Sequence, residues 1–250
     1  MKSADFYIDT DYRVLHEDES ILVLDKPAPL AVHPVGSYQD NNLHSLLMSD
    51  PERAGQKINF THRLDAETSG VILAAKTSEA ASYIGKEFLA GRVKKKYRAL
   101  VFGRPAQDAG EISCRLGNDK SSGFQTVRVA DEVNGEEALT RYQVLSTHEN
   151  IGEEKAVYSW LELEPLTGRT HQLRIHLALL GHPIVGDKIY VDLSFFQRYV
   201  MSGLDEAMLK RLKLPRLALH ASSLSFLHPQ TGARVEYVSS APDFLRKITS

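Results

Sequence analysis

Asp65 lies within His62-Arg63-Leu64-Asp65-Ala66-Glu67-Thr68-Ser69-Gly70, between a basic neighbour and a Thr-Ser-Gly turn, and the apolar run Val71-Ile72-Leu73-Ala74-Ala75 follows at once. A carboxylate at the mouth of a buried strand is placed for chemistry: the strand holds it rigid and the turn keeps it reachable. The same residues also suit an Asx-type turn, in which an aspartate only bonds its own backbone. Two further stretches bear on the choice.

In Leu166-Thr167-Gly168-Arg169-Thr170-His171-Gln172-Leu173-Arg174, four polar or basic side chains (Arg169, His171, Gln172, Arg174) crowd the expected first turn of a helix. Free backbone N–H groups there attract anions such as phosphate, and an arginine can also pair with a catalytic carboxylate and keep it ionised. Arg92-Val93-Lys94-Lys95-Lys96-Tyr97-Arg98 sets five cations around an aromatic ring at the entry to a strand. Cations that track a phosphate backbone, beside a ring on which a base can stack, suit single-stranded nucleic acid. A lysine-rich strand edge that discourages aggregation uses the same residues.

Ten histidines raise the question of a metal. His171 and His176 are five apart, roughly 140° round a helix axis, so they do not share an ion from one face. HExxH and paired-cysteine patterns are absent, and His33, His182 and His228 each precede proline as loop residues do, so no metal is expected. Neither a P-loop nor GxGxxG is present, so no nucleotide cofactor is expected; GxSxG is missing too.

The elements that must position these groups follow from periodicity. Val14 to Leu24 reads as two strands about an acidic turn; Leu43, Leu46 and Leu47 as a short helix; Val71–Ala75 as a strand. Ser78 is the expected cap of a helix with Ala80, Ala81, Ile84 and Phe88 on one stripe, stopped by Gly91. Strands are expected at Tyr97–Phe102, Gln125–Ala130, Ala138–Ser146, Ala156–Glu164, Leu217–Leu227 and Arg234–Val238. Thr170 is the expected cap of a helix reaching Leu180, and shorter helices are expected at Leu193–Tyr199, Ala207–Leu212 and Pro242–Ile248. Mixed order without strict βαβ alternation indicates an α+β fold with a mixed, mainly antiparallel sheet in one continuous domain.

A chain of 250 residues and net charge −2 does not coat nucleic acid non-specifically, but a focused basic site is compatible with that balance. Acids gather at Glu17-Asp18-Glu19, Glu136-Glu137 and Glu153-Glu154, away from the basic segment. Cys114 is the only cysteine, which excludes an internal disulfide. The start, MKSADFYIDTDY, has no apolar core of a signal peptide, and apolar runs of about five residues are too short to span a membrane.

Taken in order, these segments resemble the RluA branch of the RNA pseudouridine synthases from about Val14 to Phe244. Asp25-Lys26-Pro27 with His33-Pro34 is similar to the family's early "NKP…VHP" segment, with Asp for the usual Asn. HRLDAETSG resembles its central motif, and Lys96-Tyr97-Arg98-Ala99-Leu100-Val101 its "K-x-Y-x-A-x-V" strand. Gly168–Leu177, continuing to Gly181-His182-Pro183-Ile184-Val185-Gly186-Asp187, and Leu219-His220-Ala221 match two later signatures.

The resemblance implies the pseudouridine synthase fold, a mixed, mainly antiparallel sheet flanked by helices with a central catalytic cleft. It implies a reaction without metal or cofactor, in which the N1–ribose bond of a uridine is broken, the uracil turns, and its 5-carbon joins the same ribose carbon. Asp65 would be the catalytic carboxylate, by addition to the sugar or by proton abstraction. Tyr97 would stack on the uracil and take the 5-carbon proton, and Arg174 would pair with the aspartate. Arg63 would hold the target nucleotide out, with His62, Arg169, His171, Lys94, Lys95 and Lys96 as further RNA-binding residues.

Many relatives carry an N-terminal RNA-binding domain; here residues 1–12 are expected to be a short tail and 13–250 the catalytic domain. The expected substrate is a structured ribosomal or transfer RNA, met by a cytoplasmic monomer that needs no membrane. The alternative is a non-catalytic RNA-binding module that retains the fold.

Overall fold

The computed structural model describes residues 7–36, 38–53, 55–124, 126–152 and 154–249. Its elements in chain order are β1 (Arg13–Glu17), β2 (Ile21–Lys26), α1 (Leu43–Ser49), β3 (Asn59–Phe60), β4 (Ser69–Ala75), α2 (Ser78–Leu89), β5 (Lys94–Phe102), β6 (Ala109–Asn118), β7 (Arg128–Ala130), β8 (Glu136–Ile151), β9 (Ala156–Pro165), α3 (Gln172–Leu179), α4 (Leu193–Ser202), α5 (Glu206–Leu212), β10 (Leu219–Leu227), β11 (Arg234–Val238) and α6 (Phe244–Thr249). Gln125, the expected start of the strand before Ala130, and Glu153 of the third acidic cluster lie outside the described residues, as do the first six positions of the tail.

The chain forms two compact units, one holding the described residues up to Lys96 with His220–Ala241, the other Tyr97–Leu219 with Pro242–Ser250. We refer to them as the Asp65 unit and the Arg174 unit.

In the Asp65 unit, β4 is buried at all seven positions, which a strand needs if it is apolar without alternation. β2 pairs with it antiparallel from Ile21↔Ala75 to Lys26↔Gly70, and β1 covers β2. β3 pairs antiparallel with the far end of β4, whereas β10 pairs in parallel with its start, His220↔Ser69 and Ala221↔Gly70. β11 adds antiparallel to β10. The core joins Val71, Leu73 and Ala75 to Ala80 and Ile84 of α2 and to Leu224 and Phe226 of β10. Thr77, not Ser78, caps α2: its side chain accepts the Ala80 N–H from an extended conformation. Two adjacent hydroxyl residues offer the same chemistry, and the one outside the helix takes it.

In the Arg174 unit, β5, β9, β8, β6 and β7 follow one another in an antiparallel array. β6 had no sequence counterpart: AGEISCRLGN puts Ile112, Cys114 and Leu116 on one face, but only Leu116 of its ten residues is buried. Leu100, Val101, Leu161, Leu163, Leu177, Ile184 and Val185 form the core. The segment Pro183–Val185 runs beside β5, with Phe102 N–H on Pro183 O and Val185 N–H on Leu100 O. The mixed, mainly antiparallel sheet and its helices agree with the α+β expectation. Among the described residues no helix is long and apolar enough to cross a membrane.

Candidate active site

The candidate residues divide between the units: His62, Arg63, Asp65 and Lys94–Lys96 in one, Tyr97, Arg169, His171 and Arg174 in the other.

Asp65 is half-buried on the turn that feeds β4, and Arg63 beside it is exposed. The main chain closes that turn, Thr68 N–H donating to Asp65 O at 3.0 Å. A buried lysine fastens it from beneath. Lys26 at the end of β2 donates to Pro27 O, Leu30 O and Ala66 O at 2.9, 2.7 and 3.2 Å, and Leu30 N–H donates to Ala66 O at 2.8 Å. An ammonium whose donors all reach carbonyls tolerates burial. Lys26, within the Asp25-Lys26-Pro27 segment, thus ties the loop after β2 to the turn that carries Asp65.

Gly70 has φ +112°, and a Cβ there would lie 2.2 Å from Ala221 O. Only glycine allows β10 to come this close. Ser69 Oγ and His220 Nδ1 are 2.9 Å apart, and His220 Nε2 meets Ser239 O at 3.1 Å. A carbonyl only accepts, so Nε2 carries the proton and the serine hydroxyl donates to Nδ1.

His62 continues the pairing that β3 begins: its Nε2 accepts Leu73 N–H at 3.1 Å, and its ring lies 5.0 Å from that of Phe88. Burial, with Lys95 adding to it, pushes the imidazole down to about 3. A neutral His62 therefore anchors the segment to β4. Along β5 the lysines alternate, Lys94 and Lys96 exposed and Lys95 half-buried, so they do not form one continuous patch. Burial lowers the Lys95 ammonium pKa.

Tyr97 is half-buried at the start of its unit, opposite Leu163 in the register with β9. The helix after it departs from expectation at its cap. His171, not Thr170, precedes the first helical residue, in a left-handed conformation (φ 58°) and without a side-chain cap bond. Gln172 fixes the entry instead. Its Oε1 accepts from Thr167 Oγ1 and Arg169 N–H, and its Nε2 donates to Leu139 O and Thr140 Oγ1, all at 2.7–3.0 Å. Arg169 pairs with Glu136, and its Nε donates to Glu137 O at 3.1 Å.

Arg174 is the most firmly held cation of this unit. Its Nε and Nη2 donate to the two oxygens of buried Asp187 at 2.7 and 2.8 Å. Asp187 Oδ1 also accepts Ile189 N–H and Tyr190 N–H at 2.9 and 3.0 Å. Burial alone would raise the Asp187 carboxyl pKa; the Arg174 charge and these hydrogen bonds overcome it and hold the group below the usual range. The Tyr190 ring lies 5.2 Å from the guanidinium carbon. Tyr190 Oη accepts Arg128 N–H at 3.2 Å and bonds His171 Nδ1 at 2.9 Å. One tyrosine thus joins β7, the cap of α3 and Arg174. Gly186, next to Asp187, lets the main chain pass close to Arg216: a Cβ there would lie 2.0 Å from Arg216 O. Sequence reading quoted Asp187 within a signature but gave it no role, and it passed over Tyr190 three residues later.

One group among the described residues has the donors for a metal: His16, Asp18 and His228. Asp18 Oδ2 lies 3.0 Å from His16 Nε2 and 2.9 Å from His228 Nε2. However, His228 Nδ1 accepts the N–H groups of Gln230 and Thr231 at 3.3 Å, so the ring's proton sits on Nε2 and is given to Asp18. A metal-bound imidazole has the opposite need, a free Nε2 and a donating Nδ1–H. The donor set fits a hydrogen-bonded latch on the β1–β2 turn.

The family model described as RNA pseudouridylate synthase matches residues 20–179. Ribosomal large subunit pseudouridine synthase D of Pseudomonas aeruginosa is 35% identical over 240 residues, covering 95% of this chain and 71% of the relative. An uncharacterised RNA pseudouridine synthase of Synechocystis is 32% identical over 240 residues, covering 94% and 67%. Among solved structures, human RNA pseudouridylate synthase domain containing 1 superposes with a TM-score of 0.72 at 28% identity, covering 93% of this chain and 84% of that one. The chain belongs to the RNA pseudouridine synthase family, in its RluA branch, and isomerises uridine to pseudouridine in RNA.

Proposed function

We propose that Asp65 acts on the ribose of a target uridine, that Tyr97 stacks on the uracil and removes its 5-carbon proton, and that Arg174 supplies the charge that keeps Asp65 ionised. The observation that carries this reading is the placement of Asp65, half-buried on a main-chain turn at the head of a wholly buried strand. Whether the carboxylate adds to the sugar or takes a ribose proton, it must be anionic. The N1–C1′ bond breaks, the C5–C1′ bond forms, and the proton that C5 loses to Tyr97 is balanced by one gained at N1, so substrate and product are isomers. Nothing is oxidised, and no metal or cofactor takes part.

A base inside folded RNA must first be extruded, at a cost of a few kcal/mol. Stacking on Tyr97, about 1–3 kcal/mol, with phosphate contacts from Arg63, Arg169, His171, Lys94, Lys95 and Lys96, offsets that cost. His62 contributes by anchoring Arg63 and Asp65 to β4. The names of the relatives favour uridines of ribosomal RNA over transfer RNA as substrate. We assign residues 13–250 to one catalytic domain, working as a monomer in the cytoplasm.

Tritium release from RNA labelled at the uracil 5-position tests the assignment. The wild-type protein releases label and Asp65→Ala does not; release unaffected by that change refutes the role of Asp65. Free uracil as the product would indicate hydrolysis instead.

A further inference from the structure

The loop after β2 brings an aromatic cluster beside the segment that carries Asp65. Ala31 and Val32 in this loop are buried, and their carbonyls accept the N–H groups of Leu43 and His44 at 2.8 and 3.0 Å. The next residue, His33, is exposed, yet rings hold it on two sides. His44 lies 5.8 Å away at a tilt of 40°, and Phe60 meets it edge-on at 5.5 Å and 87°. Exposed Arg63, three residues after Phe60 and two before Asp65, is close enough to act on His33 electrostatically. Lys26 and Leu30 clamp the same loop to Ala66, so cluster and carboxylate move as one piece.

We propose that His33, backed by His44 and Phe60, is a stacking platform for an unpaired RNA base that flanks the target uridine, with Arg63 taking the adjoining phosphate. This rests on the RNA reading above and extends it to a second nucleotide. A ring braced by two others loses little freedom when a base stacks on it, and any base has a face to offer. Burial, His44 and Arg63 each hold the imidazole below its ordinary pKa, so at neutral pH it presents a π face in place of a charge. Phosphate attraction is then left to Arg63. The two residues separate the two kinds of contact: one reads the base, the other the backbone.

The test measures binding of a fluorescein-labelled RNA stem–loop with an unpaired, uridine-rich loop, by anisotropy over a range of salt. Stacking worth about 1–3 kcal/mol per base corresponds to a loss of about five- to 150-fold. His33→Ala should weaken binding by about tenfold with the salt slope unchanged, and His33→Phe should restore it. Arg63→Ala should reduce the slope by about one. Wild-type affinity in His33→Ala overturns the platform while leaving the RNA reading intact, and so does a loss that comes with a shallower slope. Equal losses in His33→Ala and His33→Phe also overturn it, because stacking does not need the imidazole nitrogens. No RNA binding by the wild-type protein at any salt overturns both.

Discussion

Replacing Asp187 by asparagine isolates what its charge does for Arg174. The carboxylate is buried and receives two hydrogen bonds from the guanidinium and two from backbone N–H groups. Asparagine keeps the size and can still accept the Ile189 and Tyr190 N–H groups through Oδ1, but it removes the negative charge that the Arg174 guanidinium meets at 2.7 and 2.8 Å. Breaking a buried pair from one side costs about 3–5 kcal/mol, and the retained backbone bonds put this case near the lower end. For a chain of this size, about 3 kcal/mol lowers Tm by roughly 6–12 °C.

Thermal unfolding of wild type, Asp187→Asn, Arg174→Met and the double variant gives the coupling. The double variant should be less destabilised than the sum of the singles by about 2 kcal/mol. In parallel, tritium release from Asp187→Asn at a temperature where it stays folded should show a lower kcat at similar KM, because the arginine is retained but no longer aimed. An unchanged Tm, or strict additivity in the cycle, would refute the reasoning. Normal kcat in a destabilised variant would confine Asp187 to a structural role.

Three further outcomes follow from the same geometry. Gly70→Ala puts a methyl against the Ala221 carbonyl in a positive-φ conformation and should cost more than about 3 kcal/mol, read as lost soluble yield; a variant with wild-type Tm would disprove the close approach. Tyr190→Phe keeps a ring under Arg174 and should retain most of kcat, whereas Tyr190→Leu should lose far more; equal kcat for the leucine variant and wild type excludes a positioning role. Acid should weaken the fold below about pH 6.5. Burial lowers the His176 pKa to about 4, and neither ring nitrogen has a hydrogen-bond partner among the described residues, so the unfolded chain binds this proton first. Stability is therefore full above the ordinary histidine pKa and lost as pH falls, by about 2–3 kcal/mol at pH 4 for this residue. His176→Leu should flatten the decline in unfolding midpoints between pH 6.5 and 4; an equally steep decline would place its cause elsewhere.

The elements read well from sequence were those with one dominant pattern. β4 is an apolar run, α2 carries a clear 3.6-residue stripe, and β11 appears with its expected bounds. β6 was illegible because it is exposed or half-buried along nearly all its length and is fixed by pairing with β7 and β8. The entry to α3 misled for a different reason. Thr170 has the chemistry of a cap, but the bonds go to Gln172, whose side chain reaches leftover donors and acceptors on β8 and the preceding turn. Long-range hydrogen bonds of this kind leave no local trace. The Arg174–Asp187 pair is similar, since thirteen residues separate its members and nothing in the spacing says that they meet.

The nine residues from His62 to Gly70 show why a motif can be specific without every member being chemical. Four serve the fold: His62 accepts a strand N–H, Thr68 closes the turn, Ser69 bonds His220, and Gly70 admits β10. The demands on His62, Ser69 and Gly70 are steric or directional, so each tolerates few substitutes, whereas Thr68 closes the turn through its main-chain N–H. What they hold in place is the alternation of exposed Arg63, buried Leu64 and half-buried Asp65. The scaffold residues thus determine where the carboxylate points, and rate should be sensitive to them even though none need touch RNA. Ser69→Ala makes the distinction measurable: the cavity is small and the fold should survive, but His220 loses its hydroxyl partner beside the turn. Reduced kcat with unchanged RNA affinity is the outcome this argument requires, and wild-type kcat would show that the turn is rigid without that bond.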